Sequence, residues 1–243
     1  MMKKVALGVV ATAALIGTPA LAADLPPQVA PVYNVPATAP PAWSWTGLYL
    51  GAAGGWGFGR ENFTDNSVVG IPPGTAINHS PDGGILGGVL GYRYQVGQFV
   101  FGAEGTAAWA DLADTVSPSA FATDNFKIRS LYAATGQVGW AFNRVLLYAK
   151  GGWAGSSVNA SISTTAAGFA NQTQTDNGWT AGAGFDYAVW QNLILGIEYN
   201  HFDLGYDAFQ TVGILGNTYI VRNPSRLTVE QAVGRLTYKF DLF

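Results

Sequence analysis

The sequence predicts an all-β fold, an eight-stranded antiparallel up-and-down transmembrane β-barrel. Apolar and small or polar residues alternate with period two in stretch after stretch. The connections between these stretches alternate between short and long. Charged residues make up only 11 % of the chain, against about 25 % in ordinary soluble domains, so something other than water wets much of the surface.

The elements follow in order. Met1-Met2-Lys3-Lys4, the apolar run Val5 to Ile16 and Ala20-Leu21-Ala22 read as a signal peptide over 1–22. Residues 23–42, with Pro26, Pro27, Pro31, Pro36, Pro40 and Pro41, read as a Pro-rich periplasmic linker, and 43–243 as the barrel. Losing Lys3 and Lys4 leaves 10 basic against 15 acidic residues, moving the net charge from −3 to −5 and disfavouring nucleic acid as a partner. The absence of cysteine excludes disulfides and thiol chemistry. No later stretch offers the ~20 apolar residues of a membrane helix, which leaves a closed barrel as the way across a bilayer.

The first strand spans Thr46 to Phe58, with Leu48, Leu50, Ala52, Trp56 and Phe58 on one face. Ile85 to Tyr94 sets Leu86, Leu90, Tyr92 and Tyr94 against Gly87, Gly91 and Arg93. Phe99 to Trp109 sets Phe99, Phe101, Ala103, Ala107 and Trp109 against Glu104 and Thr106. Ile128 to Phe142 places Tyr132, Ala134, Val138, Trp140 and Phe142 opposite Arg129, Thr135 and Gln137, and Val145 to Ala154 places Leu147 and Trp153 opposite Tyr148 and Lys150. Gly178 to His201 is a hairpin broken at Trp190-Gln191-Asn192, with Asp186 and Glu198 on its polar side. Leu227 to Leu242 supplies the last strand, with Leu236, Tyr238 and Phe240 facing away from Arg235 and Lys239. Polar segments at Arg60 to Asp82, Ala110 to Phe126, Gly155 to Asn177 and Leu204 to Ser225 read as long extracellular loops, and the short turns as periplasmic.

The aromatics give an independent test. Trp56, Trp109, Trp153 and Trp179 fall where strands meet long loops, while Tyr92, Tyr94, Phe99, Trp140, Phe142, Tyr187, Tyr238 and Phe240 fall near short turns. Two belts are what amphipathic rings form at the two faces of a bilayer. On the inward parity Glu104, Lys150, Asp186, Glu198 and Arg235 lie about four to five residues from the short-turn end, on the order of 10 to 13 Å deep. An eight-stranded barrel is filled by its own side chains, so these charges are expected to form a network that closes the lumen. A narrow ion path is the alternative use of the same residues.

Enzyme and metal signals are thin. His79 and His201 have no histidine or glutamate at ligand spacing, so neither a metal nor a cofactor is expected. Glu198 and Asp186 form a conceivable carboxylate pair, but a salt-bridge role suits a filled interior better, and no catalytic residue is assigned. The Asn-x-Ser/Thr triplets at Asn62, Asn78, Asn159 and Asn171 mark polar loops.

Trp45-Thr46-Gly47, Tyr49 and Gly51 after a Pro-rich lead, the glycine repeat from Gly83 to Tyr92, Gly178-Trp179-Thr180 with Gly182-Ala183-Gly184, and Glu198-Tyr199 resemble the alphaproteobacterial porin-like small outer-membrane β-barrel proteins. These are similar in architecture to the OmpA transmembrane domain. The resemblance implies outer-membrane lipid, lipopolysaccharide and the assembly machinery as partners. It also implies a structural or surface role, with passage of small solutes and haem or host binding as alternatives; Phe63, Phe121, Phe169, Tyr206, Phe209 and Tyr219 are the loop aromatics available for binding. Thr135, Gln137 and Gly196 stand where the family commonly carries basic residues. Assembly recognition usually reads a terminal aromatic with apolar residues alternating upstream. Counting back from Phe243 meets Asp241 and Lys239, whereas counting back from Phe240 meets Tyr238 and Leu236. Phe240→Ala is therefore expected to slow membrane assembly, read as loss of the heat-modifiable folded band, while deletion of Phe243 is expected to assemble normally.

Overall fold

The computed structural model describes residues 43–65, 75–120, 122–164, 168–205 and 226–240. Residues 1–42, 206–225 and 241–243 lie outside them, and with them the signal peptide, the linker, Phe243 and the aromatics Tyr206, Phe209 and Tyr219. The side chains of Phe63, Phe121 and Phe169 lie outside them too.

The strands are β1 (Gly47–Asp65), β2 (Thr75–His79), β3 (Asp82–Val96), β4 (Phe99–Ser119), β5 (Ala122–Phe142), β6 (Val145–Thr164), β7 (Gly168–Ala188), β8 (Leu193–Leu204) and β9 (Arg226–Phe240). Every pairing is antiparallel, and the order β1-β3-β4-β5-β6-β7-β8-β9 closes where β9 returns to β1, from Leu48 opposite Phe240 to Asn62 opposite Arg226. Eight strands thus form the barrel. The ninth, β2, pairs only with the far end of β1, from Glu61 opposite His79 to Asp65 opposite Thr75. Closure removes the sheet edge, which is what lets a sheet stand in hydrocarbon.

The short turns are tight. Gly97 (φ 61°) and Asn143 (φ 55°) hold left-handed conformations between β3 and β4 and between β5 and β6, which glycine and asparagine adopt most readily.

Two of the expected long loops are strand instead. β4 and β5 stay paired out to Ser119 opposite Ala122, and β6 and β7 to Thr164 opposite Gly168, so Ala110 to Phe126 and Gly155 to Asn177 are mostly ladder. The segment Arg60 to Asp82 also carries the end of β1 and all of β2. Alternating Ser, Thr, Asn and Asp need no lipid on one side to form a ladder; what ends at the tryptophans is the greasy face, not the strand.

One side chain faces the other way from the sequence parity. Ile128 pairs with Val158 and Ser130 with Ser157, which leaves Arg129 as a bulged residue on β5. The bulge shifts the inward set from Leu131, Ala133 and Thr135 to Phe126 and Ile128, and leaves Arg129 exposed. A one-residue shift moves every side chain beyond it to the opposite face.

The greasy face is outside. Trp56, Trp109, Trp153 and Trp179 are exposed near the far ends of their barrel segments; Tyr92, Tyr94, Phe99, Phe142, Tyr187, Tyr238 and Phe240 are exposed near the short turns, with Trp140 half-buried against Phe99. A water-soluble sheet would bury such residues and expose its charges. Inward glycines make room for inward tyrosines: a Cβ on Gly91 would strike Tyr49, and one on Gly184 would strike Tyr148. Gly184→Val is expected to destabilise the barrel by ~1–3 kcal/mol through overpacking, seen as a lower midpoint of the heat-modifiable transition. Gly136→Val, where a Cβ meets nothing within 4 Å, is the matched control and is expected to leave the midpoint in place.

Candidate functional site

The lumen is lined by residues of every barrel strand, and its described residues fall in layers. At the short-turn end the segment before β1 turns into the mouth. Trp45, only 1 % exposed, donates its backbone N–H to Gln95 Oε1 at 2.8 Å and its indole N–H to the Asn143 carbonyl at 3.1 Å. It packs with Val100, Ala141, Leu146, Tyr148, Ala188 and Ile194. Lys239 donates to the Ser44 carbonyl at 2.7 Å and sits 4.6 Å from the Trp43 ring centroid.

Next comes Arg93, fully buried on β3. Its guanidinium reaches Asp186 Oδ2 at 2.7 Å, donates to Gln137 Oε1 at 3.2 Å, and lies 4.6 Å and 5.1 Å from the Tyr49 and Tyr148 rings. Asp186 lies two positions from the end of β7 at Ala188, nearer the mouth than Glu104, Lys150, Glu198 and Arg235, each about five positions from the short-turn end of its strand. Gly196 matters here, since a side chain there would collide with Asp186 Oδ1.

The third layer gathers Glu104 (β4), Lys150 (β6), Glu198 (β8) and Arg235 (β9). Lys150 Nζ bridges Glu104 Oε1 at 2.9 Å and Glu198 Oε1 at 2.6 Å, and the Arg235 guanidinium pairs with both carboxylates. The Tyr49 hydroxyl donates to Glu104 at 2.8 Å, the Tyr148 hydroxyl to Glu198 at 2.7 Å, and the Asn200 amide to Glu198 at 2.8 Å. Gln137 donates to the Tyr49 oxygen at 2.6 Å and so ties this layer to the Arg93 layer. Charge balances in each: two carboxylates against two cations here, one against one around Arg93. Neutrality is what makes charge tolerable in a low-dielectric interior.

Beyond lies a cavity of about 30 Å³ lined by Lys150, Glu198, Asn200 and Arg235 on one side and by Leu131 and Phe202 on the other. A buried apolar cluster that includes Ile85, Leu112, Phe126, Ile128, Leu227 and Val229 lies on the far side. That cavity volume is on the scale of a single water molecule.

Of the five charged residues expected to share a level, the structure brings four together and gives Asp186 to Arg93. Glu198 and Asp186 hold different cations, so they are not a carboxylate pair. Arg93, Tyr49, Tyr148, Gln137 and Trp45 complete the site. Each but Trp45 sits on the inward parity of its strand, a signal available in the sequence; Trp45 precedes the first strand and had none. The histidines also acquire partners that spacing does not show. His79 is buried, with Nε2 3.4 Å from Asp124 and Nδ1 3.5 Å from Asp114 across two neighbouring strands, and His201 Nδ1 is 2.6 Å from Glu230. Among the described residues no cluster of His, Cys, Asp or Glu suits a metal ion.

A closed eight-stranded barrel with an apolar outer face, aromatic residues towards both ends and a neutral charged core is the architecture of an outer-membrane barrel protein. The chain belongs to the outer membrane protein beta-barrel domain family, whose model matches residues 9–240. It is 31 % identical over 217 residues to the 31 kDa outer-membrane immunogenic protein of Brucella melitensis biotype 1, covering 84 % of this chain and 88 % of that one. It is 28 % identical over 238 residues to the 25 kDa outer-membrane immunogenic protein of Brucella abortus biovar 1, covering 96 % and 97 %. Among solved structures it is similar to the outer membrane protein OprG from Pseudomonas aeruginosa, at TM-score 0.45 and 14 % identity over 82 % of this chain and 98 % of that one. It is also similar to Ail of Yersinia pestis, at TM-score 0.41 and 17 % identity over 80 % and 99 %. The protein is an outer-membrane β-barrel.

Arg235→Met leaves Glu104 and Glu198 with Lys150 as their only cation. It is expected to cost ~3–5 kcal/mol in urea unfolding from lipid vesicles. Adding Glu104→Gln and Glu198→Gln to it is expected to recover part of that loss, because the uncompensated charge is then gone.

Proposed function

We propose that the protein is a structural, surface-exposed component of the outer membrane whose lumen does not conduct. One observation carries this: among the described residues, apolar mouth, ion layers and apolar cluster follow one another along the axis, and the cavity between ion layer and cluster measures about 30 Å³. A path for solutes would need the Glu104–Arg235 layer and the Phe126–Leu227 cluster to part together. The short turns and both termini face the periplasm, and the prolonged ends of β4 to β7 stand outside, as the short-turn asymmetry of such barrels supports. Surface exposure then belongs to the polar outer ends of these four strands.

Planar-bilayer recordings of the refolded protein are expected to show no steady openings. Steady openings that vanish in Arg235→Ala, or that change selectivity in Glu104→Gln, would show the lumen to be a pore. Orientation has its own readout. The chain lacks cysteine, so Asn159→Cys gives a single thiol, and its labelling on intact cells by an impermeant reagent is expected. Labelling only after the envelope is opened would reverse the orientation.

A further inference from the structure

The hydrocarbon side of the barrel changes character on β8 and β9. Following the ladder across these strands, Phe58, Glu230, His201 and Ala181 form one rung, between the rung of Trp56 and that of Trp179. Polar side chains therefore stand outward at the tryptophan level. His201 Nδ1 is 2.6 Å from Glu230 Oε1, and the Tyr199 hydroxyl donates to Glu230 Oε2 at 2.7 Å. The Trp179 ring packs against the imidazole at 5.3 Å, yet the His201 and Glu230 side chains stay 33 % and 39 % exposed. These contacts leave the imidazole Nε2 and further carboxylate lone pairs for a group outside the chain.

Next to this cluster, towards the short turns, the same face is stepped. Ile197 and Tyr199 on β8 are 66 % and 53 % exposed, and directly opposite them on β9 stand Gly234 and Ala232. A ridge along β8 thus borders a trough of about 620 Å³ lined by Ala183, Phe185, Ile197, Tyr199, Ala232 and Gly234. The glycine in it does nothing for its own barrel. Whereas a Cβ on Gly184 would strike Tyr148, one on Gly234 would meet only the Gly54 carbonyl at 3.9 Å. The space over Gly234 opens outward.

We infer that this face of β8 and β9 pairs with the same face of a second copy, across a two-fold axis along the membrane normal that passes between Tyr199 and Ala232. Two copies in one membrane share their orientation, so a closed pair has its axis in that direction. Such an axis sets β8 of each copy against β9 of the other. Ile197 and Tyr199 of one copy then enter the space over Gly234 and Ala232 of its partner, and the reverse holds at the same time. In lipid, where burying apolar surface gives no drive, close packing of large against small side chains is what favours association. Charge follows shape, since the same operation turns each His201 towards the partner's Glu230. Acyl chains fill a trough but offer nothing to an imidazole or a carboxylate; a second copy matches both. Tilted strands cross at the axis, so the contact is confined to these few rungs.

The chain lacks cysteine, so Ile197→Cys places a single thiol beside the axis. In liposomes holding the refolded chain, a short bis-maleimide is expected to give a covalent dimer from Ile197→Cys and none from Leu86→Cys, a similarly exposed position three strands away on β3. Native mass spectrometry from mild detergent is expected to show the parent as a dimer. Gly234→Leu, which fills the trough, is expected to weaken dimerisation about tenfold, the scale of one overpacked contact. Gly136→Leu, outward on β5 where a Cβ meets nothing within 4 Å, is expected to dimerise as the parent does. All the altered positions face outward, and heat-modifiable migration verifies that each variant is folded. A parent that stays monomeric, cross-linking of Leu86→Cys as efficient as that of Ile197→Cys, or a folded Gly234→Leu that dimerises like the parent would overturn the assignment.

Discussion

Four charged side chains enclosed by eight strands lie in a low-dielectric interior, so they must neutralise one another. Glu104, Glu198, Lys150 and Arg235 come from four different strands and meet with ammonium and guanidinium each touching both carboxylates. The rest of the interior is arranged around that requirement. Tyr49 and Tyr148 saturate the outer lone pairs, the glycines opposite them clear space for their rings, and Arg93 repeats the balance one layer towards the mouth. Such a core gains little net energy over a hydrocarbon one, since desolvation offsets most of the Coulomb attraction. What it ties down is register: sliding β4, β6, β8 or β9 by two residues separates a carboxylate from its cation.

Much of this was legible in the sequence. Period-two alternation located all eight barrel strands, because lipid on one side and a packed lumen on the other impose opposite demands on neighbouring residues. Glu104, Lys150, Asp186, Glu198 and Arg235, read as inward from parity, are buried inside the barrel. Depth was less legible, since it depends on where each turn ends; Asp186 sits nearer the mouth than a count from Trp190-Gln191-Asn192 suggests. Parity fails outright only where a bulge intervenes, at Arg129, and a bulge of this kind leaves no mark in alternation when the residues beyond it are mixed.

The strand extensions escaped for a different reason. Beyond the tryptophans the outward residues face polar surroundings, so the hydrophobic half of the pattern disappears while the ladder continues. Loss of alternation marks the edge of the hydrocarbon and not the edge of the sheet. Trp45 is a converse case, a core residue outside any strand, whose role depends on the chain folding back into a mouth that exists only once the barrel has formed. The same dependence explains His79, whose two aspartates are supplied by β4 and β5 and lie far away in sequence.

The seam between β1 and β9 joins the two ends of the barrel's chain, with Gly51 and Gly55 lying close against the backbone of Leu236 and Ala232. A contact of such sequence separation carries a large loop-closure cost. Without β9, β1 would present a bare edge and the two glutamates would share Lys150 alone, for Arg235 lies on β9. One strand therefore completes the hydrogen-bonded ring and also carries the guanidinium that balances the interior, so closure of the sheet and neutrality of its core depend on a single element.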